Sequence, residues 1–126
     1  MKPKMNLRTT LAALGAALAL AGAAHAQAVP GLDGRWEGTL DAGVAVLKIV
    51  FRVETKTDAT TLLLDSPDQG ANGIPTTDLK RDGQKVSFEV PAVAGGYAGT
   101  LLADGKSLEG TWSQNGMNLP LNMTKK

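Results

Sequence analysis

Apolar residues recur at every second position through most of the chain after Gly34, and this alternation constrains the fold more than any other feature. A period of two is typical of a β-strand with one face on a core and the other in water. The first run places Trp36 and Leu40 on one face. Residues 31–126 contain no stretch with the period of 3.6 that an amphipathic helix requires. The other apolar faces comprise Leu47, Ile49, Phe51 and Val53, then Val86, Phe88 and Val90, then Leu108 and Trp112, and finally Met117, Leu119, Leu121 and Met123.

Turn-forming residues separate these alternating runs. Asp82-Gly83, Asp104-Gly105 and Asn115-Gly116 each lie between two runs, and such pairs indicate hairpins in which both turn residues adopt positive φ. Asp41-Ala42-Gly43 and Thr57-Asp58 are expected to join the earlier strands. We therefore predict an all-β fold, an antiparallel up-and-down barrel of about eight strands, because closure of the sheet removes exposed edges. A two-sheet β-sandwich is the alternative.

The first 26 residues have the layout of a secretory signal peptide. Three basic residues begin the chain, namely Lys2, Lys4 and Arg8. An uncharged apolar run follows from Leu11 to Ala24, and Ala24-His25-Ala26 fits the small-residue cleavage motif, as does Ala26-Gln27-Ala28. The run is shorter than the roughly 20 residues that span a bilayer. We predict a cleaved signal peptide over 1–26 and a single β-barrel domain over 27–126. The protein is then periplasmic or secreted and has no membrane anchor.

Cleavage of this segment limits the chemistry of the mature chain. The chain has no cysteine, and its only histidine is His25. Cleavage after Ala26 removes this histidine and three of the 13 basic residues but none of the 12 acidic ones, so that the net charge changes from +1 to −2. No remaining side chain has an ordinary pKa near neutrality, which excludes a Ser-His-Asp triad and a His-ligated metal. We expect no enzymatic activity, no metal and no cofactor.

The charge balance also bears on the type of partner. The near-neutral chain has only two Trp, two Phe and one Tyr, and its charged residues are scattered. Nucleic-acid binding normally requires a basic surface, with interleaved aromatic residues for single strands. We therefore expect no nucleic-acid partner, and we expect either a small apolar ligand or a periplasmic protein.

A long polar segment, DSPDQGANGIP at 65–75, does not fit the alternation and is predicted to be a loop between the third and fourth strands. Together with GRWEGTL at 34–40 and GTWSQNGMNLPL at 110–121, it resembles a small domain that precedes the catalytic domain in some exported bacterial serine hydrolases of the α/β-hydrolase type. The resemblance covers nearly all of 33–124 and extends to free-standing secreted proteins. It implies an appended module, because the nucleophile, acid and histidine of those hydrolases belong to the partner domain. Gly34 and Trp36 are also similar to the opening of lipocalin-like barrels.

Seven residues in the loop and at the barrel mouth are candidate binding residues. Ser66 and its neighbours also suit an Asx- or Ser-initiated turn, and Trp36 suits a simple core position. Glu37 and Glu109 flank the two tryptophans in sequence, but the alternation places both glutamates on the opposite face. The candidate residues are Asp65, Ser66, Asp68, Gln69, Trp36, Trp112 and Gln114.

The favoured hypothesis is an exported, non-enzymatic barrel that binds a small apolar or amphipathic ligand or a protein partner. The alternative is an accessory domain that docks on a separately encoded periplasmic hydrolase, using an outward apolar patch of Val44, Val46 and Val50. A hydrolase based on the carboxylates of Glu37 and Glu109 is the least favoured hypothesis.

Overall fold

The computed structural model describes residues 28–126. The predicted signal peptide, residues 1–26, lies outside the described residues. Nine strands follow one another along the described chain, with two short 3₁₀ turns at Pro67–Gln69 and Pro91–Val93. The strands are β1 (Gly34–Asp41), β2 (Val46–Lys56), β3 (Ala59–Ser66), β4 (Ala71–Pro75), β5 (Thr77–Asp82), β6 (Lys85–Val90), β7 (Gly95–Leu101), β8 (Ser107–Gln114) and β9 (Met117–Lys125).

All nine strands form one antiparallel sheet that rolls into a nearly closed barrel. Their order in the sheet is β4-β3-β2-β1-β9-β8-β7-β6-β5. Strands that follow one another in sequence are therefore neighbours in the sheet, except β4 and β5, which lie at its two ends. The first and last strands, β1 and β9, also pair with each other, through Trp36 and Lys125 for example. The predicted all-β antiparallel barrel is confirmed, and the single sheet rules out the two-sheet sandwich.

The predicted count of about eight strands is one too low, and the reason lies in the polar segment at 65–75. Its second half is the strand β4, in which Ile74 pairs with Leu64 and Pro75 pairs with Leu63. The register shifts between Leu64 and Ser66, which marks a bulge. A five-residue strand that contains Asn, Gly and Pro has little β-propensity of its own. It forms because the preceding turn returns the chain to the edge of β3.

The strands β4 and β5 complete the barrel by a change of partner. Only Thr76 separates them, yet β4 pairs with β3 whereas β5 pairs with β6. Thr76 Oγ1 still donates a hydrogen bond of 2.7 Å to Leu62 O of β3. The chain therefore passes from one side of the gap to the other, so that β4 and β5 are the two ends of the rolled sheet.

Residues 28–33 cover one end of the barrel. Leu32 is buried, and its carbonyl oxygen accepts a 2.9 Å hydrogen bond from the indole N–H of the fully buried Trp36. The backbone N–H of Val29 donates to Thr60 Oγ1 on β3, and Arg81 Nη1 on β5 donates to Pro30 O. This segment thus bridges β3 and β5, and we call this end of the barrel the closed end.

Aromatic side chains fill part of the interior. Phe51, Phe88 and Tyr97 form a cluster whose ring centroids lie 5.1 to 5.6 Å apart, with edge-to-face contacts from Phe51 to the other two rings. The Tyr97 hydroxyl donates a 3.0 Å hydrogen bond to Leu121 O, and burial raises the pKa of Tyr97. The alternating faces predicted from the sequence thus supply the barrel core.

The hairpin positions were predicted correctly, but their turn geometry was only partly so. Asn115 and Gly116 both adopt positive φ, as expected for the turn between β8 and β9. At the other two pairs only the glycine, Gly83 or Gly105, has positive φ. Asp82 is the last residue of β5 and pairs with Lys85, so the two-residue loop consists of Gly83 and Gln84 rather than Asp82 and Gly83.

Candidate functional site

An apolar cavity of about 320 Å³ opens at the end of the barrel opposite residues 28–33. We call this end the mouth. Its rim consists of the β1–β2 and β8–β9 turns and the two 3₁₀ turns. The volume lies at the lower end of the usual range for small-molecule sites. The apolar lining residues are Leu40, Ala42, Leu47, Ile49, Val93, Trp112, Met117, Leu119 and Leu121.

The cavity exists because the inward-facing apolar positions continue beyond the point at which the interior is filled. Trp112 and Leu121 belong to the buried core, whereas Leu47, Val93 and Leu119 are partly buried and pack against it. At the closed end the corresponding space is occupied by residues 28–33. At the mouth, no segment of the described chain fills the space above these side chains.

Four neutral polar residues complete the lining, namely Ser66, Gln69, Gln114 and Asn115. Ser66 is almost fully buried, and its hydroxyl donates a 2.7 Å hydrogen bond to Gln69 Oε1. Across the mouth, Trp112 Nε1 donates to Gln114 Oε1 at 3.0 Å, and Gln114 Nε2 donates to Val93 O at 2.9 Å. These bonds hold β8 against the second 3₁₀ turn and fix the orientation of the indole ring of Trp112.

The two 3₁₀ turns at the rim have nearly the same backbone geometry. Ser66 and Val90 precede them with φ, ψ of −128°, 79° and −125°, 83°, and each turn has proline at its start. Gly70 and Ala94 end the turns in the left-handed conformation. The first turn places Ser66 and Gln69 where the second has Val90 and Val93, so polar groups lie on only one of the two turns.

Four of the seven predicted site residues meet at the mouth, and three do not. Ser66, Gln69, Trp112 and Gln114 line the cavity. Trp36 lies in the core beside Leu32, close to the closed end. Asp65 and Asp68 direct their carboxylates into contacts that anchor the loop, away from the cavity.

These two carboxylates explain why the polar segment holds its shape. Asp65 accepts hydrogen bonds from Arg52 Nε and Nη2 at 2.8 and 2.9 Å and from the backbone N–H of Gly73 at 2.7 Å. The Arg52 guanidinium holds the pKa of Asp65 below its usual value. Asp68 Oδ2 accepts a 2.8 Å hydrogen bond from the backbone N–H of Lys48, two residues before Val50, where the pairing of β2 with β3 begins.

Sequence reasoning missed several lining residues, chiefly Leu40, Val93, Met117 and Leu119. The signal was present for three of them, because Leu40 and Met117 end alternating inward faces next to turns at the mouth and Leu119 follows Met117 on the same face. Val93 could be found only from the resemblance between the two proline-initiated turns.

The predicted outward patch requires one correction. Val44 and Val46 are exposed, at 98% and 61% of their surface, but Val50 is fully buried. Val50 lies outside the barrel core, with Glu37 and Asp65 as its cross-strand partners on the outer surface. Val50 thus faces outward, as the alternation predicts, but it is buried, which alternation alone does not reveal. Met117, 51% exposed, is the third large apolar residue that is exposed in the described chain, and all three exposed residues lie at the mouth.

Other possible sites in the described chain are less well formed. Three more open depressions of about 220, 350 and 600 Å³ lie elsewhere on the described chain. Glu37 and Glu109 belong to strands that β9 separates. Within residues 28–126, no three His, Asp or Glu side chains are placed so that they could hold a metal ion, and no helix is long and apolar enough to cross a membrane.

Comparison of the chain with protein-family models, with curated proteins and with solved structures gives no match. The resemblance to the module of exported serine hydrolases therefore stays a prediction. The class of molecule that the structure defines is an antiparallel β-barrel that is covered at one end and has an apolar cavity at the other.

Proposed function

We propose that this protein is an exported, non-enzymatic barrel that binds a small apolar or amphipathic molecule in the mouth cavity. One observation carries the proposal: a cavity of about 320 Å³ has nine apolar lining residues and four neutral polar ones. This combination is typical of small-molecule sites, in which apolar walls supply affinity and a few polar groups orient the ligand.

The energetics favour an apolar occupant. Each square ångström of apolar surface removed from water contributes about 25 cal/mol, so a ligand with an eight-carbon chain gains several kcal/mol from the walls. Ser66 and Gln69 at one side of the opening would face the polar end of an amphipathic ligand. Met117 lines the cavity and is half exposed, and its unbranched side chain can adapt to the shape of the occupant.

A titration with 1-octanol, followed in ¹H–¹⁵N correlation NMR spectra, tests the proposal, because the protein contains an internal control. Trp112 lines the cavity, whereas Trp36 lies in the core near the closed end. Saturable shifts of the Trp112 indole N–H and of the Gln114 side-chain amide are expected, with little change at the Trp36 indole N–H. Equal shifts of both indoles, or none, would contradict binding at the mouth.

A docking role is the second candidate, and the three exposed apolar residues favour it. Val44, Val46 and Met117 all lie around the mouth. A contiguous exposed apolar surface is typical of a protein interface. The resemblance described above suggests a separately encoded exported hydrolase as the partner.

Native mass spectrometry of the protein, isolated from the compartment to which it is exported, distinguishes the two candidates. A retained small mass supports ligand binding. A stoichiometric complex with a hydrolase, lost in a Val44→Ser, Val46→Ser double variant, supports docking. The variant is expected to leave a ligand in place, because neither valine lines the cavity.

A further inference from the structure

The lining of the mouth cavity contains no ionisable side chain. Resting on the function proposed above, we infer that the cavity selects an uncharged ligand whose polar end accepts a hydrogen bond from the side-chain amide of Gln69. The ligand class is thus an alcohol, ester, amide or ether with a short apolar body, and not a carboxylate or an amine.

In the part of the chain that the structure describes, the hydrogen-bond pattern at the opening leaves the side-chain amide of Gln69 with a free donor. Its Oε1 already accepts from the Ser66 hydroxyl, which orients the amide group. Among residues 28–126, no acceptor pairs with Gln69 Nε2, so this N–H donor is available at the edge of the cavity. The Ser66 hydroxyl oxygen keeps a lone pair that can accept a hydrogen bond from a ligand hydroxyl group. Both polar atoms of the Gln114 amide already form hydrogen bonds, since Oε1 accepts from Trp112 Nε1 and Nε2 donates to Val93 O.

The charged residues next to the lining in sequence do not supply a counter-ion. The Asp41 carboxylate accepts the backbone N–H of Gly43, and the carboxylates of Asp65 and Asp68 are held by the anchoring contacts described above. The ammonium group of Lys48 lies on the outer face, 3.6 Å from a Glu37 oxygen. A ligand carboxylate at the opening would therefore lose hydration without gaining a cation. An unpaired charge in such a place is costly.

Calorimetric titration with three probes of equal chain length tests this inference on the whole protein. The probes are 1-octanol, octanoate and octylammonium at neutral pH. We expect 1-octanol to bind at least about tenfold more tightly than either ion. Binding of either ion as tightly as the alcohol would overturn the inference but leave the site in place. Failure of all three probes to bind would overturn the proposed function itself.

A pair of variants tests the role assigned to Gln69. Gln69→Glu keeps an acceptor for Ser66 and replaces the amide donor with a carboxylate oxygen. The ratio of octylammonium to 1-octanol affinity should rise at least about fivefold in this variant. Gln69→Leu should weaken 1-octanol binding without a gain for the amine. An unchanged ratio in Gln69→Glu, with the fold intact by circular dichroism, would overturn the assignment of Gln69 as the donor.

Discussion

Arg52 on β2 and Asp65 on β3 form a two-pronged ion pair on the outer surface of the barrel, with N–O distances of 2.8 and 2.9 Å. Asp65 also accepts the backbone N–H of Gly73 in β4. One carboxylate thus joins three consecutive strands at the place where the ladder between β3 and β4 is irregular. Charge-assisted bonds of this geometry are among the stronger ones in proteins.

Asp65→Asn should destabilise the fold by about 1–2 kcal/mol, because it removes the charge that strengthens three hydrogen bonds. The change is measured as the free energy of unfolding in urea. Asp58→Asn, in the exposed turn between β2 and β3, is the matched control and should change that free energy by less than about 0.5 kcal/mol. Equal effects of the two substitutions would show that the ion pair does not stabilise the barrel.

Acid should destabilise the protein through carboxylates whose pKa values are lowered in the folded state. A hydrogen bond from Thr55 lowers the pKa of Asp33, and hydrogen bonds from Arg35 and Arg52 lower the pKa values of Glu37 and Asp65. The unfolded chain, with ordinary carboxyl pKa values near 4, then binds more protons than the folded one. The stabilisation is complete above about pH 5 and is lost as the pH falls through the lowered values.

The urea midpoint should therefore fall between pH 6 and pH 3, and should fall less in Asp65→Asn than in the wild type. The difference arises because the variant lacks one of the shifted groups. Parallel curves for the two proteins would contradict the lowered pKa of Asp65.

Two inward-facing glycines make room for the Tyr97 hydroxyl inside the barrel. A Cβ atom on Gly110 would lie 2.6 Å from the Tyr97 oxygen and 2.5 Å from Ala98 O, and Gly99 lies directly opposite on β7. Gly110→Ala should cost about 1–3 kcal/mol through overpacking. Tyr97→Phe should cost about 1 kcal/mol, because Leu121 O loses its buried donor.

The double variant should be more stable than the sum of the two single changes predicts, by at least about 0.5 kcal/mol, because removal of the hydroxyl relieves part of the crowding. A double-mutant cycle of urea unfolding measures this coupling. Strict additivity would mean that the contact between residues 97 and 110 is not limiting.

The sequence predicted the barrel well because the alternation is a local property. Each inward face from Trp36 to Met123 could be assigned from neighbours two positions away, and tertiary packing did not override it. The strand β4 was missed because pairing with β3, rather than its own composition, makes it a strand. Val50 faces outward, as predicted, but alternation alone does not show that a residue on the outer face is buried.

The candidate site was predicted in part for a related reason. Trp112 and Gln114 were found at the mouth because they end an alternating strand, and Ser66 and Gln69 because they belong to an unusual loop. Asp65 and Asp68 belong to the same loop, and the amino-acid sequence alone does not reveal which of its polar side chains face inward. That depends on the 3₁₀ turn Pro67–Gln69 and the end of β3 before it. Together they place Ser66 and Gln69 at the cavity, whereas Asp65 and Asp68 contact the neighbouring strands.

Ligand binding in the mouth cavity is tested most directly by a cavity-filling variant. Leu119 lines the cavity, whereas Leu63 lies on the outer face of β3 and has similar partial exposure. The measurement is calorimetric titration of 1-octanol into wild type, Leu119→Trp and Leu63→Trp. If the ligand occupies the mouth cavity, binding is saturable, Leu119→Trp weakens it at least about tenfold, and Leu63→Trp leaves it unchanged. Equal affinity in the wild type and Leu119→Trp, or no binding to the wild type, would contradict ligand binding in this cavity.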